Sequence, residues 1–394
     1  MGFAVHAPSI AFVSTYPPTV CGLASFTASL VDAIAQDRNT RAGLGVVELG
    51  NGPTGSTTPG VAFHHRIGDT SSLERATQVL NSYDTVSIQH EFGIFGGADG
   101  EEVVELISKL VVPTAVTFHT VLDRPTDNQR AIIRSLAKHA DRMVVMSETA
   151  SERLIRRYDV AADRIDVIPH GADAVFAGPS LVTGDRPLVL TWGLIGPGKG
   201  LETAIEAFAT LLDLDPRPRY LIAGATHPNV LAHAGEVYRD TLVSLVHQYG
   251  LDELVEFDDR YLDRKSLARM VRSADLVVLP YASLEQVTSG VLVEAIAAGK
   301  PVIATRFPHA IELLSGGAGI TVPHDDPGAL SEALRRVLTD RRLTTQMGRN
   351  AQLLADGWYW PTIGRRFGTM MSEMAEANRF MSPRRTSEVT RVAG

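Results

Sequence analysis

The sequence predicts an α/β protein built from two Rossmann-like domains. Three observations carry this. Short uncharged Val/Ile-rich runs alternate with segments of helical periodicity, and that alternation stops and restarts once. The 394 residues also exceed the roughly 250–300 at which a single hydrophobic core stops growing. Continuous apolar runs separated by helices mark parallel strands covered on both faces.

In the first half, residues 9–14 read as a buried strand that runs into the breaker-rich Tyr16-Pro17-Pro18-Thr19-Val20-Cys21-Gly22. Phe26, Leu30, Ala33 and Ile34 then give 23–34 an apolar helical face. Strands are expected at 43–48, 61–66, 84–90, 113–119 and 142–146, with helices near 71–81, 99–110, 126–139 and 147–157. Residues 166–173 close this sheet, and 178–186, short, polar and rich in turn formers, form the linker. The second half holds strands at 188–192, 220–224, 254–257, 276–279 and 302–305. Its helices are expected at 201–212, 235–248, 263–271, 290–298, 327–338 and 340–355. The expected domains are 1–180 and 181–357. Ligands of such sheets sit beyond the carboxyl ends of the strands, so a cleft between the halves is where chemistry is expected.

Composition narrows the class. Hydrophobic residues make up 44% and charged residues 21%, near the globular average, which excludes a disordered or fibrous chain. Lys+Arg number 37 against 45 Asp+Glu, and the net charge of −8 disfavours a nucleic-acid partner. Cys21 is the only cysteine, which excludes an intramolecular disulfide and a Cys-rich zinc module. The first residues lack a basic stretch followed by an apolar one, and no uncharged run reaches the ~20 residues of a membrane helix. A cytoplasmic protein without a leader is expected. Lysine is scarce, with only Lys109, Lys138, Lys199, Lys265 and Lys300, so a lysine set among glycines stands out.

Two loops carry the strongest local signals. The first spans 281–305, with Gln286, Thr288, Ser289, Gly290, Val291 and Glu294 between a strand and a following helix and strand. Thr288 or Ser289 can cap that helix, leaving backbone N–H groups that favour an anion such as phosphate. Glu294, one turn in, is placed to take both hydroxyls of a ribose; an exposed Glu complementing the helix dipole reads equally well. The second loop is Trp192-Gly193-Leu194-Ile195-Gly196-Pro197-Gly198-Lys199-Gly200. Its glycines permit close backbone approach and Lys199 supplies positive charge for a pyrophosphate. It is neither a P-loop nor G-x-G-x-x-G, since the spacing and the acidic partner are wrong, which weakens a dehydrogenase reading.

In order along the chain, these motifs resemble the GT-B glycosyltransferases of retaining family 4. Tyr16-Pro17-Pro18 to Gly22 is similar to that family's N-terminal loop, and Ile168-Pro-His-Gly-Ala-Asp173 with Phe176 to its I-P-N-G-V-D…F segment. Lys199-Gly200 is similar to its K-G motif, and Glu294-Ala-Ile-Ala-Ala-Gly299-Lys300-Pro-Val-Ile-Ala-Thr305 to its E-A-x-A-x-G-x-P-V-I-A-T segment. Trp358-Tyr-Trp360 onward resembles the closing helix such proteins send back to the N-terminal domain, which gives a helix at 358–380 and an irregular tail at 381–394.

The resemblance implies transfer of a hexose, mannose or glucose, from a nucleoside diphosphate sugar to an acceptor hydroxyl, with retention and without a metal or other cofactor. It implies catalytic roles for His119, Lys199 and Gln286. Gly22, Gly193, Lys199, Thr288, Ser289, Gly290, Val291 and Glu294 would bind the donor, with His119 on its sugar. His90, Glu91, Gly96 and Gly97 are placed on the acceptor side, in the N-terminal domain. Domain closure would exclude water. The missing Asp-x-Asp after a strand agrees with metal independence.

Two positions depart from the family. Gln286 stands where many relatives carry the first Glu of E-x₇-E, and Leu194 where they carry Arg. Arg260, after a strand, is the expected replacement cation. Gln89–Gly97, and Gly224–Pro228 with Gly235–Arg239, resemble a bacterial branch loosely tied to mannose. The rival readings are another GT-B enzyme (a sugar-nucleotide epimerase or phosphorylase) and a non-catalytic sugar-nucleotide-binding protein. Arg130, Arg134 and Lys138 share one helical face, but an ordinary surface helix is favoured over a membrane-surface contact there.

Overall fold

The computed structural model describes residues 7–37, 43–51, 58–181 and 184–381. The irregular tail expected at the C-terminus lies outside them from residue 382. The chain divides into two compact units, 1–169 with 360–394 and 170–359.

Unit 1 runs β1 (Ile10–Ser14), α1 (Gly22–Gln36), β2 (Leu44–Gly50), β3 (Val61–Arg66), α2 (Thr70–Leu80), β4 (Thr85–His90), α3 (Glu102–Ser108), β5 (Thr114–Phe118), α4 (Asp127–His139), β6 (Arg142–Val145), α5 (Glu148–Tyr158) and β7 (Ile165–Val167). Among the described residues these strands form one sheet, all neighbours parallel, in the order β3-β2-β1-β4-β5-β6-β7. Every residue of β1, β4 and β5 is buried, as uncharged runs covered on both faces require. The helix starts follow the sequence's polar residues. Asp69 caps α2, Ser147 caps α5, and Thr126 with Gln129 forms a capping box on α4.

Unit 2 runs β8 (Leu188–Trp192), α6 (Leu201–Ala209), β9 (Arg219–Ala223), α7 (Pro228–Ala234), α8 (Val237–Gln248), β10 (Val255–Asp258), α9 (Arg264–Ser273), β11 (Leu276–Leu279), α10 (Gly290–Ala297), β12 (Val302–Thr305), α11 (Pro308–Leu314), β13 (Gly319–Val322), α12 (Pro327–Thr339) and α13 (Arg341–Ala355). The sheet order is β10-β9-β8-β11-β12-β13, again parallel. Successive residues of β11 face opposite cores: Leu276 and Val278 join Ile205, Phe208 and Ile222, while Val277 and Leu279 join Leu292, Ile296 and Phe307.

The last helix, α14 (Trp360–Met381), belongs to unit 1 and packs on α1. Trp360, Ile363, Phe367 and Met371 share a core with Phe26, Leu30 and Ile34. The helices approach so closely that a side chain at Gly364 would begin 2.6 Å from the Ala33 Cβ.

Several elements differ from the expectation. The helix expected at 235–248 is α8, and a further short helix with no assigned element, α7, precedes it and ends at Gly235, which adopts φ +59°. β13 and α11 fall in stretches with no assigned element, being short and, for β13, only partly buried. The units divide at 169/170, ahead of the 178–186 linker. The intervening segment is tied into unit 2: Ala172 N donates to Trp358 O at 2.8 Å, and Phe176 is buried in its core.

Candidate active site

In unit 2 the strand order reverses between β8 and β11, which lie side by side, and the turns leaving their carboxyl ends meet. The first turn is held by its own backbone: Gly193 N donates to Ala223 O at 3.0 Å, Ile195 N to Ala225 O at 2.9 Å and His227 N to Ile195 O at 2.8 Å. It is joined to the second where Ala282 N donates to Gly198 O at 3.0 Å. Gly200 has φ +65°, and a Cβ there would lie 1.8 Å from Pro280 O, so only glycine fits. A Cβ on Gly193 would begin 3.7 Å from Val291 Cγ2, an ordinary contact distance, so Gly193 lies against the first turn of α10. This closeness puts Lys199 Nζ 4.6 Å above the Tyr281 ring. Burial lowers the Lys199 pKa, and among the described residues it forms no ion pair.

The start of α10 is fixed from two sides. Ser289, not Thr288, is the cap: its Oγ accepts from Leu292 N at 3.2 Å, while the Thr288 hydroxyl is buried without a partner among the described residues. Ser289 N donates to His309 Nδ1 at 2.9 Å, and His309 N donates to Gln286 O at 3.2 Å. The Gln286 side chain turns inward, its Nε2 donating to Thr288 O at 3.1 Å. A side chain at Gly290 would begin 3.0 Å from His170 Nε2. The result is a helix start of glycine and small-residue backbone, whose N–H dipoles favour an anion.

Glu294 accepts from Trp192 Nε1 at 3.2 Å. Burial pushes its pKa up to about 7, against the pull of the Trp192 N–H and of Arg264; Asp173 adds a smaller push upward. Arg264 in turn pairs with Asp173 at 3.2 Å. Arg260, the expected replacement cation, already has an acidic partner of its own. Its guanidinium is largely exposed and held by Asp258 at 2.6 Å, because the two sit two residues apart at the end of β10. Arg264 is the cation that acts on Glu294. Lys300, within the same motif, is a structural group: its buried amine donates to Ser180 Oγ, Arg272 O and Ala274 O at 2.9, 2.7 and 2.7 Å.

In unit 1 the reversal lies between β1 and β4. Cys21 caps α1 through its sulfur, and Gly22 is the first helical residue, with open space where a side chain would begin. His119, after β5, has Nε2 2.9 Å from Gln89 Oε1 and packs edge-on against Phe26 at 4.7 Å. Thr120 donates to Glu91 Oε2 at 2.6 Å, and burial raises the Glu91 pKa. Gly96 N donates to Glu102 Oε2 at 2.9 Å, and Gly97 takes φ +82°. His90 departs from the expectation that it faces a ligand. It is completely buried among Phe92, Phe95 and Phe118, neither ring nitrogen has a partner among the described residues, and burial holds its pKa down to about 3.

Trp192, His309, Arg264 and Gln89 were not selected from the sequence. Of these, only His309 has a usable sequence signal, since Pro308, three residues past the end of β12, marks a helix start near a carboxyl end. Of the basic face on α4, Arg134 pairs with Asp159 and Arg130 donates to Arg157 O at 3.0 Å. Among the described residues no His/Cys/Asp/Glu group is placed to hold a metal ion, and no helix is long and apolar enough to cross a membrane.

The family model for glycosyl transferases group 1 matches residues 177–354, and that for glycosyltransferase family 4 matches 31–176. The D-inositol 3-phosphate glycosyltransferase of Corynebacterium efficiens is 28% identical over 295 residues, covering 68% of this chain and 67% of that protein. The protein of the same description from Nocardia farcinica is 31% identical over 273 residues, 63% of this chain and 58% of the relative. The chain thus matches about three fifths to two thirds of these relatives' lengths. The fold is shared with a sucrose-phosphate synthase of Thermosynechococcus elongatus (TM-score 0.75, 19% identity, 94% and 100% of the two chains). It is also shared with Anabaena HepE in complex with UDP (TM-score 0.70, 17% identity, 93% and 100%). With both halves matched in order and the parallel two-sheet architecture in place, the chain belongs to the family 4, group 1 glycosyl transferases of the GT-B fold.

Proposed function

We propose that the protein transfers a hexose from a nucleoside diphosphate sugar to an acceptor hydroxyl, with retention of configuration and without a metal. The observation that carries this reading is the meeting of two turns at the strand-order reversal of unit 2. There, Lys199 sits over Tyr281, Gly193 faces Val291 at the start of α10, and Glu294 is oriented by Trp192. Glu294 takes the ribose hydroxyls, and the Gly290 and Val291 amides with Lys199 take the diphosphate. The leaving diphosphate gains negative charge as the glycosidic bond breaks, and a preorganised cation and helix N-terminus stabilise that charge without reorganising. A diphosphate beside Lys199 also offsets the burial that lowers its pKa.

In unit 1, His119 and Gly22 are the candidate groups for the transferred sugar. Glu91, Gly96 and Gly97 belong to the acceptor side, and the names of the relatives make an inositol phosphate or a similar polyol the first acceptor to try. Mannose and glucose are the first sugars to try. The direct test is calorimetric titration with GDP-, UDP- and ADP-sugars, followed by product analysis with and without acceptor. Saturable binding and acceptor-dependent release of nucleoside diphosphate are expected. Release that ignores the acceptor would refute transfer.

A further inference from the structure

We infer that His309 is a positioning residue for the diphosphate loop, holding the Gln286–Ser289 segment from both ends in the shape that offers the α10 amides to the donor. This rests on the reading of unit 2 as the donor site. The geometry is specific. A backbone N–H can only donate, so the 2.9 Å contact between Ser289 N and His309 Nδ1 requires a lone pair on Nδ1 and leaves the ring proton on Nε2. The N–H of the same residue reaches Gln286 O at 3.2 Å, so one residue closes the segment at its first and last positions. His309 and Ser289 are both buried, so water cannot replace the bond.

Protonation would turn Nδ1 into a second donor facing the Ser289 donor. Burial, aided by the nearby His170, keeps the imidazole neutral by holding its pKa down to about 3. His309 also occupies Ser289 N, while Ser289 Oγ occupies Leu292 N. The amides between them, of Gly290 and Val291, are the ones left at the helix start. Fixing the loop before the ligand arrives removes an ordering cost from binding.

Two measurements on the full chain test this. Long-range ¹H–¹⁵N spectra of the histidine-labelled protein should show His309 with bare Nδ1 and protonated Nε2, unchanged across about pH 5.5 to 8.5. A protonated Nδ1, or titration in that range, overturns the inference whether or not any variant folds. For function, the probes are uridine, guanosine and adenosine diphosphate. H309L should bind the preferred one about 5- to 100-fold more weakly, and raise KM for the donor but not for the acceptor. H309N, whose Oδ1 can accept the Ser289 N–H, should recover part of that loss. A folded H309L that binds like the wild type refutes the positioning role alone. A wild type that binds none of uridine, guanosine and adenosine diphosphate refutes the donor-site reading, and the inference with it.

Discussion

The indole N–H of Trp192, at the end of β8, is bonded across 3.2 Å to the carboxyl of Glu294 on α10, a separation of 102 residues. This contact ties the end of β8 to the helix that follows β11 and fixes the carboxyl proposed for the ribose. W192F keeps the ring in its core and deletes the donor. Nucleoside diphosphate binding should weaken about 5-fold, the worth of roughly 1 kcal/mol, and the Glu294 pKa should rise further. Unchanged calorimetric affinity would show that the bond does not orient the carboxyl for a ligand.

The Glu294 pKa near 7 gives donor binding a pH dependence. The ionised carboxylate is the better acceptor of ribose hydroxyls, so affinity should rise between about pH 6 and 8. Stability from this group should move the other way. A carboxyl whose pKa is raised on folding binds more protons folded than unfolded from its ordinary value of 4.5 up to about 7, so it destabilises as pH rises through that window. E294Q should flatten both trends. Parallel titrations and thermal melts would reveal a persisting slope, which would assign it to another group.

Removing the cation of the first turn should act on the transition state. K199A is expected to lower kcat by about 10²- to 10³-fold, the usual size for losing one group that meets developing negative charge. Near-normal turnover would place the leaving diphosphate elsewhere.

Gly200 allows no side chain. G200A drives a methyl into Pro280 O at a φ that only glycine adopts readily, so the two turns must separate. Donor affinity should fall together with melting temperature. A well-folded variant with normal binding would show that the turns need not touch.

Lys300 makes the contrasting case. K300M leaves two main-chain carbonyls and the Ser180 hydroxyl without their buried amine, and should cost about 2–4 kcal/mol in denaturant unfolding. Donor affinity in the folded fraction should be unchanged; a selective loss of affinity would return Lys300 to the site.

The strands and most helices were legible because buried parallel strands leave continuous apolar runs and the helix starts carry Asp, Ser or Thr. Lys199, Ser289 and Glu294 stand out in the sequence through the order of the motifs that hold them, since a glycine turn with a lysine or a first-turn Glu reads equally well as structural when taken alone. The pairing that holds the Arg260 guanidinium at Asp258 is not legible from its place after a strand. The burial of His90 is not legible because its aromatic cover comes partly from Phe118, on a different strand. Trp192 and His309 act through partners 102 and 20 residues distant, a relation no local pattern records.

The packing of α14 on α1 has a consequence for the order in which the protein is made. Residues 170–359 form a contiguous unit that can complete its core as soon as it leaves the ribosome. The earlier-synthesised unit lacks Trp360, Ile363, Phe367 and Met371 until the far end of the chain emerges, so the half translated first is the half finished last. Limited proteolysis of a chain ending at residue 359 should then spare the later half and digest the earlier one, and equal resistance of both would refute this order.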